Sequence, residues 1–160
     1  MCLYIKKIPH SYKTETINNQ KMIPVWKIIT TNNKSPSKDL RFNTGATEHS
    51  WTKGWNISNR RFRRYNKFDE DRPNTFDEDG PKTICKGFHC LTRKKDAIAY
   101  RQAIITYFLT RSNRKLNQQL KIIKVYVRKD DIIAKGHSCF GTFIELCPSL
   151  AATQVYWKGI

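Results

Sequence analysis

The spacing of apolar residues along the chain predicts a set of short strands and one helix. The clearest strand covers residues 120–127, where Ile123, Val125 and Val127 fall on one face and polar or mixed residues on the other. Runs rich in β-branched and aromatic residues, punctuated by turn-forming residues, predict the others. These lie at residues 2–8, 23–31, 84–91, 132–136, 139–147 and 153–157, and residues 11–21 predict a loop or a hairpin connection.

A helix is predicted from Thr92, as its N-cap, through about Thr110. Its first turn carries Arg93, Lys94 and Lys95, which the helix dipole disfavours by roughly a few tenths of a kcal/mol. An anionic partner would relieve this conflict, although screening by solvent is the simpler explanation. The predicted fold class is α+β, with one principal helix packed on a mostly antiparallel sheet of about five or six strands.

Residues 34–82 show neither helical nor strand periodicity. They predict a long irregular insertion within a single domain that comprises residues 1–160. Aromatic residues in this insertion argue against full disorder. Residues 51–68 interleave aromatic with basic side chains, and residues 69–80 then carry six carboxylates.

The formal net charge is +17, from 30 Lys and Arg against 13 Asp and Glu, and it points to a polyanionic partner. The charge is +11 over residues 1–68, −5 over 69–80 and +11 over 81–160, so it is spread along the chain. No apolar run reaches the roughly 18–20 residues that would span a bilayer. The first residues do not have the order of a secretory signal. A cytoplasmic protein with no membrane contact is predicted, and its five cysteines are expected to be reduced thiols.

The basic and aromatic residues of the insertion predict a nucleic-acid surface. Guanidinium groups bind phosphates bidentately, and aromatic rings stack on unpaired bases. RNA or a single strand is favoured over duplex DNA because no helix-turn-helix, zinc finger or basic zipper is recognisable. The alternative is a solvated loop whose rings anchor it to the core. The predicted binding residues are Trp51, Lys53, Trp55, Arg60, Arg61, Phe62, Arg63, Arg64, Tyr65 and Lys67, together with Arg93, Lys94 and Lys95.

The acidic run at residues 69–80 admits three interpretations. The simplest is an exposed loop that balances nearby cations. A second is an acidic flap that competes with phosphates for the arginines at 60–64. The third is a site for a hard cation, although the carboxylate spacing matches no calcium-loop template. No metal or cofactor is predicted.

Cysteine and histidine residues raise two further hypotheses. A zinc site would use thiolate and imidazole ligands, but the spacing matches no common zinc module and free cysteine is usually a small buried hydrophobe. Its candidate ligands are Cys85, His89, Cys90, His137, Cys139 and Cys147. A metal-independent nuclease would use His89 and His137 as base and acid beside a lysine. Lone histidines are more often structural, so neither hypothesis is preferred.

Four short stretches resemble a set of small phage and prophage proteins. The chain begins Met1-Cys2-Leu3-Tyr4, and a strand at 25–29, a Gly-Phe-His motif at 87–89 and a strand at 124–127 with Gly136 beyond follow in the same order. The resemblance covers roughly half of the chain and leaves residues 51–80 without a counterpart. That set carries no assigned activity, so no site residue is transferred. Its context implies inhibition of a bacterial defence system, including an anti-CRISPR role.

The predicted function is therefore that of a non-enzymatic, strongly basic nucleic-acid-binding protein of a phage or mobile element. Its partner is expected to be RNA or a single strand, such as the guide RNA of a host effector ribonucleoprotein. One alternative is the small nuclease that uses His89 and His137. Another is a protein-binding inhibitor whose acidic run mimics nucleic acid and docks on a basic cleft.

Overall fold

A computed structural model of the chain describes residues 3–5, 12–33, 50–58, 83–84, 87–112, 120–138 and 147–160. These residues form ten strands, one α-helix and one short 3-10 helix. The strands are β1 (Leu3–Ile5), β2 (Glu15–Ile17), β3 (Gln20–Thr30), β4 (Gly54–Ile57), β5 (Thr83–Ile84), β6 (Phe88–Leu91), β7 (Leu120–Val127), β8 (Ile132–Ser138), β9 (Cys147–Ala152) and β10 (Gln154–Trp157). The helix α1 spans Lys94–Ser112, and the 3-10 helix spans Lys129–Asp131.

The strands form one sheet in the order β4-β10-β7-β3-β6-β9-β8-β1-β5, and β2 pairs with β3 beside that path. Every pairing among the described residues is antiparallel. The longest joins β3 to β7, from Ile23 opposite Val127 to Thr30 opposite Leu120. The two longest strands therefore lie side by side near the middle of the sheet.

Both faces of the sheet carry a core. Helix α1 packs on one of them, which we call the helix face, and its cluster of buried residues consists of Ile28, Leu91, Ala97, Tyr100, Ile104, Leu120 and Cys147. The other, called the opposite face, holds the larger cluster. Its members are Ile23, Val25, Ile29, Trp51, Phe88, Cys90, Ile123, Val125, Val127, Leu150, Ala152, Val155 and Trp157.

The hairpin between β2 and β3 turns on Asn18 and Asn19, whose φ angles are 50° and 61°. Two consecutive loop residues at positive φ are typical of the type I′ turn, whose twist suits a hairpin, and asparagine tolerates that conformation. The hairpin alternative for residues 11–21 is therefore confirmed.

The α+β class with one helix on an antiparallel sheet is confirmed, but the expected count of five or six strands is wrong. Six of the ten strands have only two to four residues, a length at which apolar periodicity is a weak signal. One of them, β4, lies inside the predicted irregular insertion of residues 34–82. That expectation is therefore wrong at 54–57, while residues 34–49 and 59–82 lie outside the described residues.

Two predicted boundaries also need correction. Pro148 was expected to separate two strands, but it lies inside β9 and pairs with His137. The helix begins at Lys94, and the Thr92 hydroxyl donates to the Pro148 carbonyl at 3.1 Å. Its oxygen was expected to cap the helix. Across the described parts of the chain, no helix has both the length and the apolar character needed to cross a membrane.

Candidate nucleic-acid interface

Helix α1 covers only part of the helix face. Beyond it, the register across β4, β10 and β7 places Trp55 opposite Tyr156 and Tyr156 opposite Tyr126. Paired residues of an antiparallel sheet project from the same face, so these three side chains form one line across three strands. We call Trp55, Tyr156 and Tyr126 the aromatic row. Pro24 of β3 continues the line, since it pairs with Tyr126.

Two rings of the aromatic row are accessible. Trp55 is 37% exposed, and its ring centroid lies 5.5 Å from that of Tyr156 in an edge-to-face arrangement. Tyr156 is partly exposed, whereas Tyr126 is buried. Trp55 and Tyr156 therefore offer ring surface to a ligand, and Tyr126 serves as the base beneath neighbouring cations.

Lysines border the aromatic row on one side. The ammonium groups of Lys124 and Lys158 lie 5.4 Å and 5.0 Å from the centroid of Tyr126. Lys124 pairs with Trp26, and Lys94 of α1 lies 5.4 Å above the Trp26 ring. The side chain of Lys53 packs beside Gly159, the residue that follows Lys158. We call Lys158, Lys124 and Lys94 the basic row.

Arg128 borders the aromatic row on the other side, with its guanidinium carbon 4.5 Å from the Trp55 centroid. The same guanidinium donates from Nε to Oδ2 of Asp131 at 2.6 Å and from Nη2 to Oδ1 at 3.2 Å. The amide of Gln154 donates to Asp131 Oδ1 at 2.8 Å. Hydrogen bonding to Asp131 raises the pKa of Arg128, so this cation is held in place on its tryptophan.

Glu15 supplies a carboxylate to this surface. Lys124 Nζ donates to Glu15 Oε1 at 2.5 Å, and that hydrogen bond is the largest cause of the lowered pKa of Glu15. The same bond raises the pKa of Lys124. Both side chains are more than a third exposed, 35% for Lys124 and 41% for Glu15. A pair this open to water contributes little stability, so a phosphate can compete for Lys124.

Several residues predicted to bind nucleic acid lie on this surface and others do not. Trp55 and Lys94 belong to the two rows, and Lys53 packs beside Gly159, next to Lys158 in the chain. Trp51 is only 2% exposed and packs on the opposite face, with its ring 5.0 Å from that of Phe88, so its predicted stacking role is wrong in this structure.

The other predicted binding residues fall into two groups. Arg93 pairs with Asp96 at 2.5 Å in the first turn of the helix, and Lys95 is exposed there. The rest lie outside the described residues, as does the acidic run at 69–80. They are Arg60, Arg61, Phe62, Arg63, Arg64, Tyr65 and Lys67.

A short turn explains why Trp51 and Trp55 point to different faces. Residues four apart in a regular strand share a face, but Gly54 has a φ of 99° and interrupts the alternation. The buried Asn56 side chain holds this turn. It accepts from the Thr52 amide at 3.0 Å and donates to the carbonyls of Thr52 and Gly54 at 2.8 Å and 3.2 Å.

Sequence reasoning missed Tyr126, Tyr156, Lys124, Lys158 and Arg128 as binding residues. Lys124 and Tyr126 do appear in the sequence as alternate residues of one strand face, which was a usable signal. No local sequence pattern predicts that β10 lies between β7 and β4. This strand order places the three side chains of the aromatic row next to one another.

The two histidines of the nuclease hypothesis do not meet. His89 pairs with Ala151 and His137 with Pro148, three residues apart on β9, so the two side chains project from opposite faces of the sheet. His89 is also only 4% exposed. One phosphodiester cannot contact both imidazoles in this arrangement.

The zinc hypothesis meets a similar separation. Cys90 packs in the cluster of the opposite face and Cys147 in the cluster of the helix face. Within the described ranges, no three His, Cys, Asp or Glu residues come together as a metal site. Cys85 and Cys139 lie outside those ranges.

No family model, curated protein or solved structure matches this chain. The surface is therefore interpreted from its own geometry and charge.

Proposed function

We propose that this chain is a nucleic-acid-binding protein that prefers RNA or single strands, with the aromatic and basic rows as its binding surface. The observation that carries the proposal is the pairing of accessible rings with cations that border them on both sides. Unpaired bases stack on aromatic rings, while lysines along a groove or row neutralise the backbone phosphates. The net charge of +17 supports the same class of partner.

Single strands suit this surface better than a duplex. On β7 the two rows are two residues apart, at Tyr126 and Lys124, which corresponds to about 7 Å. One extended nucleic-acid strand can then place its bases on Trp55 and Tyr156 and its phosphates on the lysines. The bases of a duplex are stacked on one another, and their faces are closed to a protein ring.

The biological role remains a prediction. Interference with a host defence ribonucleoprotein, implied by the resemblance to phage proteins, would use this surface on a guide RNA or on another exposed single strand.

The proposal is tested by binding of a labelled single-stranded RNA, followed by fluorescence anisotropy over a range of salt concentrations. The double variant Lys124→Gln/Lys158→Gln should weaken binding. It should also flatten the plot of log affinity against log salt by roughly 0.7 for each lysine that contacts a phosphate.

Lys121 and Lys135 provide a matched control on the opposite face. Their ammonium groups also lie over aromatic rings, 5.6 Å from Trp157 and 4.9 Å from Tyr12. Lys121→Gln/Lys135→Gln removes the same charge and should leave a stronger binder than Lys124→Gln/Lys158→Gln. Equal losses in the two variants would mean that net charge alone drives binding and that the surface is wrongly assigned. Absence of RNA binding by the unaltered protein would overturn the proposal.

A further inference from the structure

One of the two hydrogen-bonding edges of the Arg128 guanidinium is already occupied. Its Nε and Nη2 groups donate to the two carboxylate oxygens of Asp131, a side chain only about a tenth exposed. Gln154 donates to the same carboxylate, so Asp131 is held by a second residue. A carboxylate fixed in this way orients the guanidinium as well as neutralising it.

An arginine paired in this manner is a weaker phosphate ligand than a free one but a good stacking partner. Asp131 occupies one of the two donor edges of the guanidinium and offsets its charge, so the attraction for a phosphate is reduced. The guanidinium plane remains, and guanidinium planes stack on bases. The Arg128 side chain is 36% exposed, and its guanidinium lies against Trp55, which is itself 37% exposed. Both members of this cation–π pair are therefore accessible to a base.

We propose that Asp131 is a positioning residue that makes Arg128 a stacking plate for an unpaired base and weakens it as a phosphate ligand. The surface then has two parts with separate tasks. The exposed surfaces of Trp55, Arg128 and Tyr156 contact bases, and the basic row holds phosphates. The substrate class is thus a single strand with exposed bases, an assignment that rests on the proposed function.

The neighbouring acidic side chain does not share this task. Asp130 lies beside Asp131 in the 3-10 helix and is exposed, and its charge acts on Arg128 only through space. Asp130→Asn is therefore a control that removes one negative charge close to Arg128 and leaves its paired edge occupied.

The experiment compares two labelled probes, a single-stranded oligonucleotide and an abasic oligonucleotide of the same length and phosphate number. The unaltered protein should bind the strand with bases more tightly than the abasic strand, by roughly 5- to 150-fold for one stacked base. Trp55→Ala should reduce that ratio and leave affinity for the abasic probe nearly unchanged. Lys124→Gln/Lys158→Gln should weaken binding to both probes.

Asp131→Asn is the decisive variant, because a positioning role and a merely structural role change two measured quantities differently. These are the ratio of affinities for the two probes and the slope of log affinity against log salt. Release of Arg128 should lower the ratio between the probes, and it should steepen the salt dependence by up to roughly 0.7 as the guanidinium becomes a phosphate ligand. Equal weakening for both probes with an unchanged salt slope would overturn the inference. Asp130→Asn should preserve the ratio.

Arg128→Lys keeps the test valid if Asp131→Asn does not fold. This variant retains the positive charge and removes the planar guanidinium. The ratio of affinities for the two probes should therefore fall, while the slope of log affinity against log salt stays the same. An unaltered ratio in this variant would contradict the stacking role. Equal binding of both probes by the unaltered protein would refute base stacking and leave the proposed function standing. Binding of neither probe would refute the proposed function itself.

Discussion

The two faces of the sheet carry the same kinds of residue in different environments. On the opposite face, Trp51 is 2% exposed and packs on Phe88. On the helix face, Trp55 is 37% exposed and lies under the guanidinium of Arg128. Only three residues separate these tryptophans in the chain, yet one stabilises the core and the other is open to a ligand.

Lysines show the same contrast. Lys27 projects from the opposite face, where its ammonium donates to the His89 carbonyl at 2.8 Å. Although part of the residue reaches solvent, burial of the amine is the largest cause of the lowered pKa of Lys27. Lys124 on the helix face has a raised pKa, chiefly through its hydrogen bond to Glu15. Burial away from water therefore decides whether a lysine on this sheet destabilises the fold or is accessible to a phosphate.

The largest expected effect is on stability. Trp51→Ala should lower the free energy of unfolding by about 3–5 kcal/mol, since it leaves a cavity in the core of the opposite face. Trp55→Ala should lower it by only about 1 kcal/mol, because an exposed edge-to-face ring contact contributes about that much. Urea denaturation of both variants measures the difference. Equal losses would show that the two rings are not in different environments.

Substitution of Asn56 tests what keeps Trp51 and Trp55 on different faces of the sheet. Asn56→Ala removes the three hydrogen bonds that hold the turn at Thr52 and Gly54, and it should cost about 1–3 kcal/mol. Affinity for single-stranded RNA should also fall, because the position of Trp55 depends on that turn.

Asn56→Asp is the matched control for this variant. It retains an acceptor for the Thr52 amide and loses both donors to carbonyls, so it should be at least as destabilising as Asn56→Ala. A variant with unchanged stability and unchanged RNA affinity would contradict a role for Asn56 in separating the two faces.

Local signals predicted the longer elements well. The alternation of apolar residues in β7 gives the observed bounds, Leu120–Val127, and β3 differs from its predicted range by only a few residues. The short strand β4 carries no such signal, because a four-residue strand at the end of the sheet order is stabilised chiefly by its pairing with β10.

The proposed binding surface was predicted only in part, for a related reason. Trp55 and Lys53 stood out by composition, and so did Trp51, which the structure buries. The reversal at Gly54 depends on a positive φ that no alternation rule anticipates. The contact between Trp55 and Tyr156 depends on strand order, which is a property of the whole sheet.

The pH dependence of stability should distinguish Lys27 from Lys124. Burial lowers the pKa of Lys27 below its ordinary value of 10.5, so between the folded pKa and 10.5 the unfolded chain binds more protons. In that window, stability contributed by this group rises with pH by up to about 1.4 kcal/mol per unit. Methionine has no such proton. The stability of Lys27→Met relative to the unaltered protein should therefore fall as pH rises toward 10.5.

Lys124→Met is the control for this comparison, measured by urea denaturation at a series of pH values. Its folded pKa is raised, so the stability it contributes is present below 10.5 and is lost only as pH rises above that value. Its difference from the unaltered protein should stay constant between neutral pH and 10.5. Burial raises the pKa of Cys90 to about 11, and the charge of Lys27 opposes that rise, so the loss of Lys27 lets Cys90 add to the expected fall and does not offset it. A constant difference for Lys27→Met would contradict the burial of its amine.

The smallest expected effect concerns the exposed pair between Glu15 and Lys124. Glu15→Gln should change stability by less than about 1 kcal/mol, because the pair is open to water. It should nevertheless tighten binding of single-stranded RNA and steepen the salt dependence by roughly 0.7, since Lys124 becomes free to release a counterion from a phosphate. Anisotropy titrations at several salt concentrations measure both quantities.

Repeating them in a Lys124→Gln background closes a double-mutant cycle, in which the gain in salt slope should vanish. If the gain persists without Lys124, Glu15 acts by general repulsion of phosphate, and the basic row is not the group that it restrains.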